Sequence, residues 1–495
     1  MTSTEDTDRD TGGRAGDSAW DVAERALEAS RADGCVVVVD AEDAAQSRWA
    51  ANGVTTAGLV RDRRVTVVAF VAGRRGTATA ATSRHGDPAE DVARLVADAE
   101  RAALESPTSP DTMPLITPAE AGHDTGHEAG SEAAGGLPEQ DGAEWLTAFG
   151  GGLKAAFARA REEGNQLFGY AEQVVRTTYL ATSAGVRLRH RQREGLIDLT
   201  ARDAKDELAS AWSGVPLPST GRFDSGAALA CLREDLAQRI RWARRRVELP
   251  EGDYEVLLSP SCVADLLLHV YQAMDARDAL EGASPFATPD GTPRLGERLT
   301  APGLTLRSDP ALPGLECAPF ALVRTPGGDM SVFDNGFPLH PTRWLDDGVL
   351  TALVQTRHTA AACGLPPTPR IGNLVLDGPA NSPANGVARG ASLGEMVANT
   401  RRGVLVNSLW YLRPTDPRTL ALTGSTRDGV YLVEHGEVVG AVDDFRFSER
   451  IVRMLERVTE IGRSVPALAR EWDDGLSRTS VPPLRIADVA IRTTR

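Results

Sequence analysis

Cysteine is scarce and positive charge is in deficit. The 495 residues hold five cysteines, Cys35, Cys231, Cys262, Cys317 and Cys363, scattered, odd in number and without a CxxC pair. That excludes a small disulfide-stapled scaffold and predicts reduced, mostly buried thiols. The formal charge is −15, which argues against nonspecific nucleic-acid binding, because a phosphate backbone needs a basic face. No run approaches the roughly 18 apolar residues of a membrane helix. The opening MTSTEDTDRD lacks the basic and apolar regions of a signal peptide, so a cytoplasmic location is expected. Short catalytic motifs are missing as well. There is no GxxxxGK[ST], no GxGxxG after a strand and no HExxH, so phosphate-loop, dinucleotide and HExxH-peptidase chemistries have no motif support.

What is present is ordinary globular material. Hydrophobic types make up 41% and charged types 25%, enough for large cores, and the length fits two or three domains at roughly 100–200 residues each. Glycine and proline together are about 16% of the chain, without a period, which predicts many turns and tight loops. Residues 1–17 read as a disordered tail. Residues 18–105 read as the first part of an N-terminal α+β domain. A helix over Asp17–Ala32 is followed by strands with turns at Asn52–Gly53 and Gly73–Gly76, then a helix with Asp87 as its cap and Pro88 in its first turn. Residues 106–141, rich in Ser, Pro, Gly and acid, read as a linker or insertion. Residues 142–246 complete the N-terminal domain with a helix from Trp145, paired strands turning at Ser183–Gly185, and a helix ending in ARRR. Residues 247–495 read as a larger, strand-rich C-terminal domain, with a helix over Ser259–Gly282 and a mostly loop stretch over 355–385. The fold class is therefore α+β, an N-terminal α/β domain with a mixed sheet and a strand-rich C-terminal domain.

Candidate chemistry is thin. His123 and His127 lie four apart in the polar insertion, a poor place for a helix. His269 is the one histidine on a strong helix, but Val270 follows it and neither Ala273 nor Met274 is a useful zinc ligand. Cys363 and His358 form no triad with any identifiable third group. Asp346–Asp347 and Asp443–Asp444 are neighbours that point different ways. Arg187, Arg189, His190, Arg191 and Arg193 form a basic stretch that reads either as a solvated hairpin face or as a groove for acidic or peptide backbone groups.

The whole-chain pattern resembles the TldD/PmbA family, also called the modulator of DNA gyrase family. The segments that carry the resemblance are VFDNGFPLHPTRWLDDGVLTALVQTRHTAAACG, PRIGNLVLDG, and LGEMVANTRRGVLVNSLWYLRPTDPRTLALTGSTRDGVYLVEHGEVVGAVDDFRFSERIVRML. NGVTTAGLVRDRRVTVVAFVAGRRGTATAT is similar to the family's opening domain. The resemblance implies a peptidase-related fold with two branches. TldD-like chains carry HExxxH on a helix and a downstream cysteine, which together bind the catalytic metal; TldE (PmbA)-like chains lack them and pair with a TldD-like chain. If His269 matches the first motif histidine, Val270 replaces the glutamate and Met274 the second histidine, and no cysteine follows Cys363. The resemblance thus implies no catalytic or metal-ligating residue in this chain, no cofactor of its own, and zinc in a TldD-like partner. The implied role is a non-catalytic TldE-like subunit that walls a chamber for unfolded or extended peptides, with no nucleic-acid or membrane binding. An autonomous metallopeptidase with divergent ligands and a homodimeric peptide-binding scaffold are the alternatives. Residues 395–413 are the expected substrate or partner wall, with Arg401, Arg402, Asn407, Trp410, Tyr411 and, nearby, Arg427 as contacts.

Overall fold

The computed structural model describes residues 18–73, 76–86, 91–122, 129–132, 142–206, 208–221, 223–327, 329–379, 390–471 and 478–492. The expected tail, the Asp87–Pro88 helix start and the His123/His127 pair lie outside them. In the N-terminal half the order is α1 (Ala19–Ala29), β1 (Gly34–Ala50), β2 (Gly53–Gly73), β3 (Gly76–His85), α2 (Val92–Glu105), β4 (Ala129–Glu132), α3 (Gly142–Glu162), β5 (Asn165–Thr182), β6 (Arg187–Asp203), β7 (Ser210–Pro216) and α4 (Ser225–Ala243). The strands form one sheet ordered β3-β2-β1-β5-β6-β4, with β7 also on β6. All its pairings are antiparallel except β4 with β6, so the sheet is mixed, as read from the sequence.

The run Val36–Val39 is buried without alternation. Such a run requires cover on both faces. Val37 and Val39 pack under α1 and α2. Val36 and Val38 pack with Phe320, Val323, Val332 and Phe333 from the C-terminal half. Beside them Asp40 is fully buried and is held by Arg324 at 2.7 and 2.8 Å and by the Thr178 hydroxyl at 2.7 Å. Burial alone raises the Asp40 pKa, but the Arg324 and Thr178 hydrogen bonds and the nearby Arg64 outweigh it and hold the carboxyl below its ordinary value. Farther along the sheet, α3 and α4 cover one face with Trp145, Phe149, Leu153 and Leu236 against Trp49, Leu167 and Leu199.

The C-terminal half runs β8 (Gly252–Leu258), α5 (Pro260–Ala273), α6 (Ala276–Leu280), β9 (Thr305–Ser308), β10 (Thr342–Asp346), β11 (Val349–Leu350), α7 (Arg357–Cys363), β12 (Leu374–Asp377), α8 (Leu393–Ala398), β13 (Arg402–Val406), β14 (Leu409–Asp416), β15 (Ala421–Thr426), β16 (Val430–Glu434), β17 (Glu437–Ala441), β18 (Arg446–Arg450), α9 (Ile451–Glu456), β19 (Val458–Ile461), β20 (Val465–Ala467), β21 (Thr479–Val481) and β22 (Leu484–Ile491). Two six-stranded sheets, β11-β10-β9-β12-β21-β20 and β17-β16-β13-β8-β22-β19, share one large core, and β14-β15-β18 form a third sheet. The stretch expected to be mostly loop contains α7. Its short length hid it, but Thr356 caps its start and Gly364, at φ 67°, ends it in the left-handed region.

The β1–β2 turn is pinned. Asn52 is buried at φ 62°. Its side chain donates to the Asn165 carbonyl at 2.8 Å and accepts from the Leu167 N–H at 2.8 Å. Asn tolerates the left-handed region better than other non-glycine residues. Asn52→Ala loses both the bonds and that tolerance. Its expected effect is a loss of about 2 kcal/mol in unfolding free energy, measured by urea titration.

Candidate functional site

Strand β8 runs directly into α5. Ser259 caps the helix by accepting from the Cys262 N–H at 3.3 Å, and Pro260 occupies the first turn, where its missing N–H is harmless. Every residue from Cys262 to Tyr271 is buried. Its apolar residues lie in the large C-terminal core, while Ser261, Asp265, His269 and Gln272 share one side of the helix.

This burial decides what the degenerate HExxxH positions can do. Val270 is 1% and Met274 0% exposed, and both are core members. Neither offers an atom to a zinc ion. Among the described residues no group of three or more His, Cys, Asp or Glu could hold a metal ion. The residues present therefore do not fit the metal that the helix motif would carry. His269 is buried, and burial pushes its pKa down to about 4. One turn earlier, Asp265 is also enclosed. Burial raises its pKa well above the ordinary carboxyl value, and its Oδ1 accepts from the Glu471 N–H at 2.9 Å. The Cys262 and Cys317 thiols are pushed up to about 12 and about 11 by burial, which makes them inert. Cys35 is likewise buried, Cys363 is half-buried and Cys231 is exposed; all five are free thiols. His358 and Cys363, five apart on α7, lie on different helix faces.

The expected wall residues fall into two places. Arg401 and Arg402 sit at the start of β13, where Arg402 pairs with Glu434 at 3.4 Å. Asn407 follows the other end of that strand, roughly 16 Å away at ~3.3 Å per residue. Asn407 is buried. Its side chain donates to the Trp212 carbonyl at 2.8 Å and accepts from Arg239, and its own carbonyl accepts from the Ser259 hydroxyl at 2.6 Å. It therefore ties the start of α5 to β7 and α4.

Trp410, Tyr411 and Arg427 gather beside Asn407. Arg427 lies over the Trp410 ring at 4.6 Å. Arg470, which the sequence did not single out, lies over both Trp410 at 4.9 Å and Trp212 at 5.0 Å. Its guanidinium donates to Asp428 at 2.6 Å and to the Ser408 hydroxyl at 2.8 Å. Asp428 also accepts from the Ser210 hydroxyl. Burial raises the Asp428 pKa, but Arg470 and Ser210 outweigh it and hold the carboxyl low. Tyr411 is 61% exposed, at φ 54°, where the β14–β15 register shifts. The site is thus an arginine–indole junction between the halves, with Tyr411 and the outer face of Arg427 toward solvent. Trp212, Arg239 and Arg470 carried no sequence signal, because their meeting depends on pairings hundreds of residues apart.

The basic stretch on β6 is neither a solvated face nor an open groove. Alternation divides it. Arg187 pairs with Glu24 at 2.5 Å, Arg189 lies over Tyr179, and His190 is buried against Phe320. Arg193 is buried and donates to the Pro218, Thr220 and Gly221 carbonyls. Arg191 alone of the five is fully exposed.

Two tests follow from this geometry. Arg470→Ala leaves Asp428 buried without its main counter-charge and is expected to lower stability by about 3 kcal/mol in urea titration, with Arg470→Lys losing less. The depressed His269 pKa means that the unfolded chain takes up a proton at higher pH than the folded one. Its contribution is present above pH 6.5 and is lost as pH falls toward 4. His269→Gln should flatten that part of the stability–pH curve, read by thermal unfolding at a series of pH values.

Residues 251–493 match the family profile described as the PmbA/TldA metallopeptidase C-terminal domain. A curated relative described as a metalloprotease, from Methanothermobacter thermautotrophicus, is 24% identical over 274 residues, covering 52% of this chain and 54% of its own length. The chain thus spans about half the length of that curated relative. The solved structure of TldE from Thermococcus kodakarensis superposes with a TM-score of 0.74 at 15% identity, covering 95% of this chain and 99% of that one. A proposed DNA gyrase modulator from Thermotoga maritima gives 0.72 at 15% identity, over 96% of this chain and 100% of that one. Another from Bacteroides thetaiotaomicron gives 0.71 at 13%, over 96% and 99%. At these identities the likeness to solved structures is one of fold. No helix among the described residues is long and apolar enough to cross a membrane. Residues 251–493 thus carry a C-terminal domain of the PmbA/TldA metallopeptidase type, and the chain as a whole shares the fold of the solved TldE and gyrase-modulator structures.

Proposed function

We propose that this chain is a non-catalytic, TldE-like subunit of a peptidase assembly, acting with a TldD-like chain that carries HExxxH and the zinc. The observation that carries this reading is the enclosure of Val270 and Met274 in the apolar core at the two motif positions beside and beyond His269. A catalytic zinc site keeps an open position for water and substrate, and every residue of α5 from Cys262 to Tyr271 is buried. The chain's contribution is then to shape and contact. The exposed Tyr411, the outer face of Arg427, and Arg401 and Arg402 at the far end of β13 are the candidates for holding an extended peptide or the partner. Aromatic and guanidinium groups bind peptide backbone and side chains without being specific to one sequence. The proposed setting is the cytoplasm.

Metal analysis and cleavage of an unfolded peptide test this directly. The purified chain should hold no stoichiometric zinc and cleave nothing alone. Cleavage should occur when an HExxxH-bearing relative is mixed in, and should exceed that relative's own rate. Stoichiometric zinc together with cleavage by the single chain would overturn the proposal.

A further inference from the structure

The β14-β15-β18 sheet has one face in the core and one in solvent. On β15 Leu422 and Thr426 are buried, so Ala421, Thr423 and Ser425 point the other way. The strand registers carry that outer face to both neighbours. Trp410 and Arg413 of β14 stand opposite Ser425 and Thr423, and Arg446, Ser448 and Arg450 of β18 stand opposite Ser425, Thr423 and Ala421. Arg427, two residues past Ser425, lies over Trp410. The face thus carries Arg413, Arg427, Arg446 and Arg450, and all but Arg427 are exposed. The acids nearby are turned away or committed. Glu449 stands opposite the buried Leu422 and holds Arg457 at 2.8 Å. Asp416, at the end of β14, accepts from the Arg418 N–H at 3.1 Å and the Thr419 hydroxyl at 2.7 Å. Asp443 pairs with Arg246, and Asp444 accepts from the Thr426 hydroxyl at 3.1 Å. Among the described residues no carboxylate pairs with Arg413, Arg446 or Arg450. Arg427 has only Asp428 at 3.5 Å, which Arg470 already holds. Across an isolated bridge Arg446 faces another cation, Arg492. Exposed arginines elsewhere sit beside acids, as Arg298 does with Asp347 at 2.9 Å and Arg343 with Asp346 at 3.0 Å. A chain with 69 acidic and 54 basic residues leaves this one face positive.

We infer that this face binds an acidic, extended stretch of the peptide substrate, which rests on the reading of the chain as the subunit that shapes and contacts the peptide. Arg446 and Arg450 lie four residues apart on β18, roughly 13 Å at ~3.3 Å per residue. Alternate residues of an extended peptide face one side, so its acidic side chains can meet both arginines at once. A guanidinium takes a carboxylate through two parallel N–H donors. Tyr411, exposed at the β14 bulge, borders the face and joins it to the contacts proposed above. The face is also preformed, because Leu412, Leu422 and Phe445 anchor the other side of the sheet in the large core. Size and field select a short acidic peptide over a nucleic acid. A duplex carries one charge per ~1.7 Å and runs far past a face of roughly 13 Å. Its remaining phosphates then lie over a chain whose net charge is −15. At physiological salt the screening length is about 8 Å, so a segment confined to the face meets chiefly its arginines.

Fluorescence anisotropy with the purified full chain tests this without any cleavage. The probe is a short labelled peptide with glutamate at alternate positions. It is set against the same peptide with glutamine there and against a short single-stranded oligonucleotide. The glutamate peptide should bind with an affinity that falls as salt rises, and the glutamine peptide should bind roughly tenfold more weakly or worse. Arg446→Gln combined with Arg450→Gln should raise the dissociation constant of the glutamate peptide roughly tenfold. Far-UV circular dichroism and thermal unfolding should stay unchanged, since both side chains are exposed and neither has an acid partner to lose. Arg343→Gln, at an exposed arginine on another sheet, should leave binding as it is. Equal binding of the two peptides overturns the inference. So does an affinity that the double substitution leaves unmoved, or tighter binding of the oligonucleotide. None of these outcomes bears on the zinc and cleavage measurements, which test the subunit reading separately.

Discussion

Helix α5 is buried from Cys262 to Tyr271, and its apolar residues are stable only when enclosed. The architecture of the C-terminal half follows from this need. Leu266, Leu267, Val270 and Met274 share one core with β8, β9, β12, β13 and β22 residues of both six-stranded sheets and with α9. The loop after β20 is tied to the first turns of the helix. The Ser261 hydroxyl donates to the Leu468 carbonyl at 2.7 Å, and Glu471 donates to Asp265. Enclosure also shifts both titrating groups: burial pushes the His269 pKa down to about 4 and raises the Asp265 pKa well above its ordinary value.

The two halves are held by arginine rather than by a broad apolar seam alone. Of the 54 basic residues only Lys154 and Lys205 are lysines. The difference matters at three places. Arg324 grips the buried Asp40 with two nitrogens. Arg470 spreads over two indoles while donating to Asp428. Arg478 reaches from the C-terminal half to Glu194 on β6 at 2.7 Å. A guanidinium is planar and weakly hydrated and can stack and donate at once; an ammonium cannot. The acidic balance of the chain thus coexists with a few arginines committed between its halves. An account of its surface from net charge alone would miss where those cations are spent.

Much of this was legible in the sequence, and the limits have physical causes. The hairpins were readable because turn residues and strand periodicity are local. The β1–β2 and β2–β3 turns lie at the expected positions. The α5 helix was readable for the same reason, from Pro260 and the apolar run Val263, Leu266, Leu267 and Val270. The short α7 was not, because seven residues carry too little period to stand out from loop. The basic stretch on β6 misled because its charges were read together, while a strand sends alternate residues to opposite faces. The arginine–indole junction was only half visible. Trp410, Tyr411 and Arg427 are close in sequence, but Trp212 and Arg470 reach them through tertiary contacts that no spacing encodes.

The packing around α5 also bears on why such a helix keeps its apolar replacements. A carboxylate at position 270 would be a charge in a core that supplies no cation, and its desolvation would have to be met by a metal or a proton. A zinc ion could meet it only if a second imidazole at 274 and a third ligand stood around the same point, with space for water. Met274 is fully buried and belongs to the same apolar core as Leu306, Leu353 and Leu374. Each ligand restored singly therefore meets the desolvation penalty without the ion that offsets it. Ligands and core are cooperative alternatives at these positions, in the same way that packing is.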